Sequence, residues 1–452
     1  MVTDLATLLT AGTLGYLAWA LPVHGVEGQP PGLFLRLAFL LPLFVLAFAQ
    51  AGLYPGIGLG PVETLRRLTL STLLTFLFLA TVNYALKSPY LYSRVSLLLI
   101  LLFALVLLPA SRFLLHAAAQ SWTWWQEPVV LVSTAEQAEG AMDAFRGPLQ
   151  ADYLPVGLLA PSDPQAGRSG GLPHLGSLAE LPEAVPPGVR IAVVPDTPGL
   201  PDLDRLNLHF QRVVLLRLYG PLPVEGAQVR NLGGLVGIEY VNSLLQTHNR
   251  VLKRALDLLL GSVLLLAAAP LIAIACLAVK LTDGGPAFFV QRRRGLHGQS
   301  IRIPKVRTMH VDAEERLEQH LLDDPDLARQ WAEQRKLRHD PRLLPAIGHF
   351  LRRFSLDELP QLWNVVKGEM SLVGPRPFPE DHLQLFSEDF QALRQRVRPG
   401  ITGLWQVTVR SEGGIAEQKA ADSHYIRNWS LWLDLYVLGR TAGAVAGGRG
   451  AY

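Results

Sequence analysis

The stretch Leu258-Leu-Leu-Gly-Ser-Val-Leu-Leu-Leu-Ala-Ala-Ala-Pro270-Leu-Ile-Ala-Ile-Ala-Cys276-Leu-Ala-Val279 runs for 22 residues without a charge. At the rise of a helix it is long enough to cross a bilayer. Its flanks complicate that reading. Lys253 and Arg254 precede it, and Lys280 and the cluster Arg292, Arg293, Arg294 follow it. A helix with basic residues in the headgroups at both ends need not cross. Pro270 lacks a backbone donor and clashes with the preceding turn, so it should kink the helix and could return it to the face it entered. A kinked span and a re-entrant helix over 255–280 both fit this chemistry.

Four more uncharged apolar stretches, 5–23, 37–54, 68–86 and 95–111, predict four transmembrane helices within residues 1–120. Asp4, with no Lys or Arg, precedes the first, so it lacks the basic start of a signal peptide and is expected to remain in the mature chain. Arg66, Arg67 and Arg112 would face one side and Arg36, Lys87 and Arg94 the other, which leaves the positive-inside count tied. Parity favours re-entry. A fifth crossing would separate the residues after Lys280 from everything between the fourth span and the fifth.

Hydrophobic residues make up 49% of the chain and charged ones 17%, a balance outside the soluble range. The net charge of +3 is uneven: residues 251–452 hold 27 Lys+Arg against 22 Asp+Glu, and the first 250 hold 14 against 16. A basic excess in the half poorer in apolar segments points to an anionic partner, whether headgroups, phosphorylated substrates or nucleic acid. Nucleic acid is the weakest of these. In the charged stretch 312–342, acids and bases alternate and Trp331 is the one aromatic, the pattern of a solvated helix pair. The single cysteine, Cys276, rules out an internal disulfide and a cysteine-pair zinc site.

After Trp122, Trp124 and Trp125, which suit a membrane interface, short apolar strands at 129–132, 156–159, 191–194 and 213–216 alternate with helix-like segments. This order predicts a small doubly wound α/β domain over 127–245. The turn after its first strand reads Ser133-Thr134-Ala135-Glu136, without the G-x-G-x-x-G that dinucleotide binding needs and with Glu136 set to repel phosphate. A structural or regulatory role is expected, and the domain could serve as a homodimer contact.

Asp357-Glu358 lies in Ser355-Leu-Asp-Glu-Leu-Pro-Gln-Leu362, where leucines at 356, 359 and 362 follow helical spacing and set the carboxylates toward one edge of the buried face. Such a pair is ordinarily solvated. Here Lys305, Arg307, Arg352 and Arg353 supply cations, and carboxylates beside cations suit Mg²⁺-assisted phosphoryl transfer. From residue 253 to about Thr441, the chain resembles the monotopic phosphoglycosyl transferases, bacterial sugar transferases that act on polyprenyl phosphate. The resemblance rests on Lys253-Arg254 with Asp257, Pro286-Ala-Phe-Phe-Val-Gln291, Lys305-Val-Arg-Thr-Met309, Asp340-Pro-Arg342 and Leu351 to Asn364. It continues through Gly368-Glu-Met-Ser-Leu-Val-Gly-Pro-Arg-Pro377, Arg398-Pro-Gly-Ile-Thr-Gly-Leu-Trp-Gln406, and Asn428-Trp-Ser-Leu431 with Asp434. Four helices and a degenerate nucleotide fold ahead of it match the large members, such as undecaprenyl-phosphate galactose phosphotransferase.

The resemblance implies that Asp357 attacks the sugar-bearing phosphorus of a UDP-sugar and binds Mg²⁺, giving a phosphosugar-aspartyl intermediate and UMP, and that Glu358 assists the lipid acceptor. It implies phosphate ligands in Lys305 and Arg352 and a place for Arg376 in the uridine pocket, although a proline-fixed loop with a structural arginine is the other reading of Pro375-Arg376-Pro377. Arg410 is a further candidate phosphate ligand, in a segment where Val409 replaces the family's glycine. Galactose and glucose are the expected sugars. Trp429, Leu431, Trp432, Leu435 and Leu438 recur near helical spacing, as in an interfacial helix or a core helix.

The expected architecture is thus a membrane protein with four transmembrane helices (1–120), a small degenerate Rossmann-like α/β domain (127–245) and an α-rich catalytic domain (250–452) carrying the re-entrant helix. Its expected place is the bacterial inner membrane with the active site at the cytoplasmic face, initiating glycoconjugate assembly. A transporter would carry ionisable residues in its spans, and these four have none. An oxidoreductase lacks its glycine turn. An inactive membrane scaffold or regulatory protein of polysaccharide assembly is the alternative that remains.

Overall fold

The computed structural model describes residues 1–24, 40–54, 56, 59–85, 94–119, 126–146, 153–160, 168–169, 171–181, 183–195, 206, 208–216, 227–232, 235–240, 243, 246–323, 340–408 and 414–446. Trp122, Trp124, Trp125, Trp331 and Arg410 lie outside them. The chain divides into two compact units, Met1–Gly220 and Pro221–Tyr452.

The first unit opens with helices α1 (Val2–His24), α2 (Leu41–Gln50), α3 (Pro61–Ala85) and α4 (Arg94–Ala119). Among the described residues, three helical segments are long and apolar enough to cross a membrane: Pro61–Ala85, Arg94–Ala118 and Thr247–Asp283. The expected spans 5–23, 68–86 and 95–111 fall on α1, α3 and α4. Helix α1, at 23 residues, has the length that a span needs. Helix α2 begins at a proline and is closed by Gly52 at φ +71°, so its 10 residues rise only ~15 Å against ~30 Å of hydrocarbon. At one end of the bundle Arg112 donates to Asp4 at 2.7 Å, the Tyr54 hydroxyl donates to the same carboxylate at 2.7 Å, and Arg67 caps the Ala51 carbonyl at 3.0 Å. Arg67 and Arg112 therefore share an end, as their sequence positions predict.

The sheet that follows comprises β1 (Glu127–Val132), β2 (Tyr153–Ala160), β3 (Arg168–Ser169), β4 (Leu172–Ser177), β5 (Ile191–Pro195) and β6 (Arg212–Leu216), in the order β3-β4-β2-β1-β5-β6. All neighbours are parallel except the short edge pair β3–β4. Alternate residues of β1 enter two cores: Val129 and Leu131 pack with Ala138, Ala141 and Phe145 of α5 (Ala135–Arg146), while Val130 and Val132 pack with Leu178, Leu206 and Phe210. Both faces are covered, as a doubly wound sheet requires. All four expected strands are present. Strands β3 and β4 were not foreseen.

The second unit contains the ribbon β7–β8 (Ala227–Leu232, Leu235–Tyr240) and α6 (Thr247–Asp283), which is continuous across Pro270. Both ends of α6 are fastened to the rest of this unit. Near its start, Lys253 donates to Asp434 at 2.7 Å and to the Val373 carbonyl at 3.0 Å, and Asp257 accepts from Ser371 and from the Leu372 amide, both at 3.0 Å. Near its finish, Ala275 and Val279 join a core with Val306, Leu344 and Leu351, and Asp283 pairs with Arg307 and His310. Between these anchors, Leu264, Leu266, Leu271 and Ile274 are exposed.

After α6 come the antiparallel ribbon β9–β10 (Phe288–Arg294, Ser300–Val306), α7 (Ala313–Asp323), α8 (Ile347–Arg353), a 3₁₀ helix (Leu356–Gln361) and α9 (Leu362–Lys367). The short parallel pair β11–β12 (Ser371–Val373, Gly400–Thr402) encloses α10 (Glu380–Leu383) and α11 (Glu388–Arg394), and α12 (Leu404–Thr408), α13 (Ile415–Arg427) and α14 (Leu431–Ala446) complete the unit. Trp429, Leu433 and Val437 are its buried stripe here, and the Trp429 indole donates to Asp434 at 3.1 Å. Of the residues predicted to share a face, Trp429, which precedes α14, is fully buried and Leu431, Trp432, Leu435 and Leu438 are half-buried.

Candidate active site

Ser355 adopts the left-handed conformation at φ 54°, unusual for a residue with a side chain, and turns the chain sharply out of α8. Pro360 cannot donate the bond that an α-helix would require, and the dyad falls in a 3₁₀ helix. Its three residues per turn place Asp357 and Glu358 about 120° apart, against about 100° in the α-helix that the leucine spacing suggests. Asp357 is 9% exposed and Glu358 17%. Leu356 and Leu359 are only half-buried, so a carboxylate takes the innermost position on this turn.

Two cations converge on Glu358. Lys305, on β10 opposite Phe289 of β9, donates to its Oε1 at 2.7 Å, and Arg376 donates to the same oxygen at 2.9 Å. Arg376 is placed by the β11–β12 pair: the Gly374 amide donates to the Thr402 carbonyl at 2.9 Å and the Gly400 amide to the Pro375 carbonyl at 3.0 Å. The backbones approach so closely that a Cβ on Gly400 would lie 2.1 Å from the Gly374 nitrogen, which accounts for glycine in both motifs. Arg352 donates to the Thr308 hydroxyl at 3.0 Å and bears on Asp357 through its charge. Thus Asp357, Glu358, Lys305, Arg352 and Arg376 are brought together, whereas Arg307 is committed to Asp283 and Arg353 lies over Phe354.

The two carboxyls are driven apart. Burial, then the charge of Glu358, pushes Asp357 up to about 6 against the pull of Lys305 and Arg352. Burial also opposes ionisation of Glu358, but Arg376 and Lys305 outweigh it and hold that carboxyl at about 2. Glu358 is therefore ionised and occupied. Among the described residues Asp357 is in no salt bridge, which leaves its carboxylate available to an incoming group.

Mg²⁺ commonly binds one or two carboxylates together with substrate phosphates. Asp357 fits that donor set. No group of three or more His, Cys, Asp or Glu suited to a metal occurs among the described residues, so a cation here would share its coordination with a diphosphate. Sequence reasoning did not single out Thr308, Arg394 or Asp422. Arg394 sits in Leu393-Arg-Gln-Arg-Val-Arg398 and reads there as one surface charge among three.

Residues 248–448 match the family model described as bacterial sugar transferase, and residues 50–187 match that of a CoA-binding domain. The exopolysaccharide production protein ExoY of Rhizobium meliloti (strain 1021) is 41% identical over 231 residues, 51% of this chain and 94% of that protein. Undecaprenyl-phosphate galactose phosphotransferase of Salmonella typhimurium is 37% identical over 265 residues, 58% of this chain and 50% of that protein. UDP-glucose:undecaprenyl-phosphate glucose-1-phosphate transferase of Caulobacter vibrioides is 41% identical over 207 residues, 44% of this chain and 72% of that protein. The chain belongs to the bacterial sugar transferase family, the polyprenyl-phosphate sugar phosphotransferases, and is a transferase.

Proposed function

We propose that the protein transfers a hexose phosphate from a UDP-sugar to polyprenyl phosphate, releasing UMP and initiating polysaccharide assembly at the cytoplasmic face of the inner membrane. The observation that carries this is the divided dyad: a buried carboxylate in no salt bridge among the described residues, beside a carboxylate held by two cations. The Asp357 carboxylate attacks the sugar-bearing phosphorus, the bond from that phosphorus to UMP breaks, and UMP leaves with the electron pair. An oxygen of the lipid phosphate then attacks the same phosphorus and the aspartyl bond breaks, restoring the carboxylate. Covalent catalysis of this kind divides one exchange into two displacements. Mg²⁺ bound at Asp357 would offset diphosphate charge.

Glu358 is a poor base when held near 2. A lipid phosphate near neutral pH needs little deprotonation, since its second ionisation lies at about 6. Glu358 therefore fixes Lys305 and Arg376, which bind phosphate oxygens and the uridine end respectively, and Arg352 adds positive charge behind Asp357. The relatives' names favour galactose or glucose as the sugar. Purified protein with polyprenyl phosphate should release UMP from UDP-galactose or UDP-glucose. A folded protein that releases UMP from neither would be the inactive scaffold.

Re-entry of α6 is supported by its two anchors. A helix that crossed about 30 Å of hydrocarbon would carry its ends to opposite sides, yet Lys253 and Asp283 are both tied to one compact unit. In a Cys276→Ser background, cysteines at Arg250 and Thr282 should react from the same membrane side. Pro270→Leu should shift the pair toward opposite sides, because the missing donor and ring clash are then gone.

A further inference from the structure

Arg394, 8% exposed at the end of α11, stands beside the loop that carries Arg376. Its guanidinium lies 4.3 Å from the centre of the Phe378 ring and donates from Nη2 to the Arg376 carbonyl. Behind it, Asp422 of α13 lies with Oδ2 3.4 Å from Arg394 Nε, itself 4% exposed. The Arg394 guanidinium lies among the rings of Phe378, Phe386 and Phe390, and Asp422 is buried behind it. Burial pushes the Asp422 carboxyl up to about 6, only partly offset by Arg394. At neutral pH its folded form is thus harder to ionise than its unfolded form, so the charge weakens the fold there. Apolar side chains of similar size often replace buried ion pairs without loss of stability. The pair's contact with the Arg376 backbone supplies another reason for its presence.

We propose that Arg394, backed by Asp422, is a positioning residue that fixes the Pro375-Arg376-Pro377 turn and so keeps the Arg376 guanidinium on Glu358. The role in turnover rests on the transferase reading above; the positioning itself does not. Proline at 375 and 377 removes two amide donors from the turn; the Gly400 amide holds its Pro375 carbonyl, and the Arg376 carbonyl is the next point at which a side chain can hold it. A guanidinium can stack on Phe378 and donate to the carbonyl at once, which an ammonium cannot.

The test uses the full-length protein in lipid nanodiscs. The paired replacement Arg394→Met/Asp422→Leu should keep the melting temperature of the wild type or raise it. Hydrogen exchange at Gly400, whose amide donates to the Pro375 carbonyl at 3.0 Å, should accelerate by about tenfold or more, while amides of β10 and α9 stay protected. In turnover, Arg394→Lys should lower kcat/KM for the UDP-sugar roughly tenfold, yet cost no more than about twofold in an Arg376→Ala background, because the path through Arg376 is already broken. Unchanged exchange in the folded paired variant would overturn the positioning, whatever the enzyme turns over. Losses that multiply in the Arg376→Ala background would overturn the route through Arg376. Should the paired variant fold poorly, Asp422→Asn, which keeps the side-chain volume, reads the same exchange.

Discussion

Asp357→Asn is expected to abolish UMP release, with a loss of roughly four to six orders of magnitude, the scale on which removal of a nucleophile registers. The amide keeps the volume of the buried site, so the variant should fold. It should form no covalent adduct with UDP-sugar. Glu358→Gln should behave differently, because Glu358 is occupied by Lys305 and Arg376 and does not face an incoming phosphorus unpaired. Its loss leaves two cations without their counter-charge and relieves Asp357 of the repulsion that helps to raise it. Asp357 then becomes a weaker but still ionised nucleophile, and the expected loss is about 10²-fold. Intact-protein mass spectrometry without lipid acceptor should find a phosphohexose adduct on the Glu358→Gln protein, mapped to Asp357. An adduct on Glu358, or any adduct on the Asp357→Asn protein, would reverse the roles.

How far the sequence discloses this site depends on which physical signal each part leaves. Strands buried on both faces read as continuous apolar runs, and β1, β2 and β5 lie where such runs predict them; β6, an edge strand without a buried residue, carries the same run. Strands β3 and β4, flanked by Gly170 and Gly171 and holding Pro173 and His174, carry no such run. The residues of the dyad are legible, but their backbone is not. Leucines three apart at 356, 359 and 362 fit a period of 3.0 as well as one of 3.6, and the choice is made by Ser355 and Pro360. In α14 apolar residues surround the whole helix, so periodicity cannot select a face. Asp434 selects it through Lys253, Tyr425 and Trp429, three partners distant enough in the chain or in rotation that spacing does not disclose them. The shortened α2 reflects turn chemistry at its two ends, which a count of apolar residues does not register.

Lys305→Met should reduce turnover at pH 7 by about 10²-fold and, unlike loss of a simple phosphate ligand, should recover much of it as the pH rises. The reason lies in the sign of its action on Asp357. Burial and Glu358 raise that carboxyl, and Lys305 is the first of the groups that lower it, leaving it at about 6. Without Lys305 the carboxyl titrates higher. Less of it is ionised at pH 7, and the acid limb of the rate profile, expected near 6 in the wild type, moves to higher pH. Glu358 keeps Arg376 and stays ionised, so the repulsion on Asp357 persists. The measurement is the rate of UMP release without lipid acceptor, from about pH 5.5 to 9 at fixed Mg²⁺ and saturating UDP-sugar, so that the first displacement alone is read. A displaced limb with recovery above pH 8 or so is the expected result. A loss constant across the range, with the limb unmoved and KM for UDP-sugar raised, would assign Lys305 to phosphate binding alone and leave Asp357 to be tuned by Arg352.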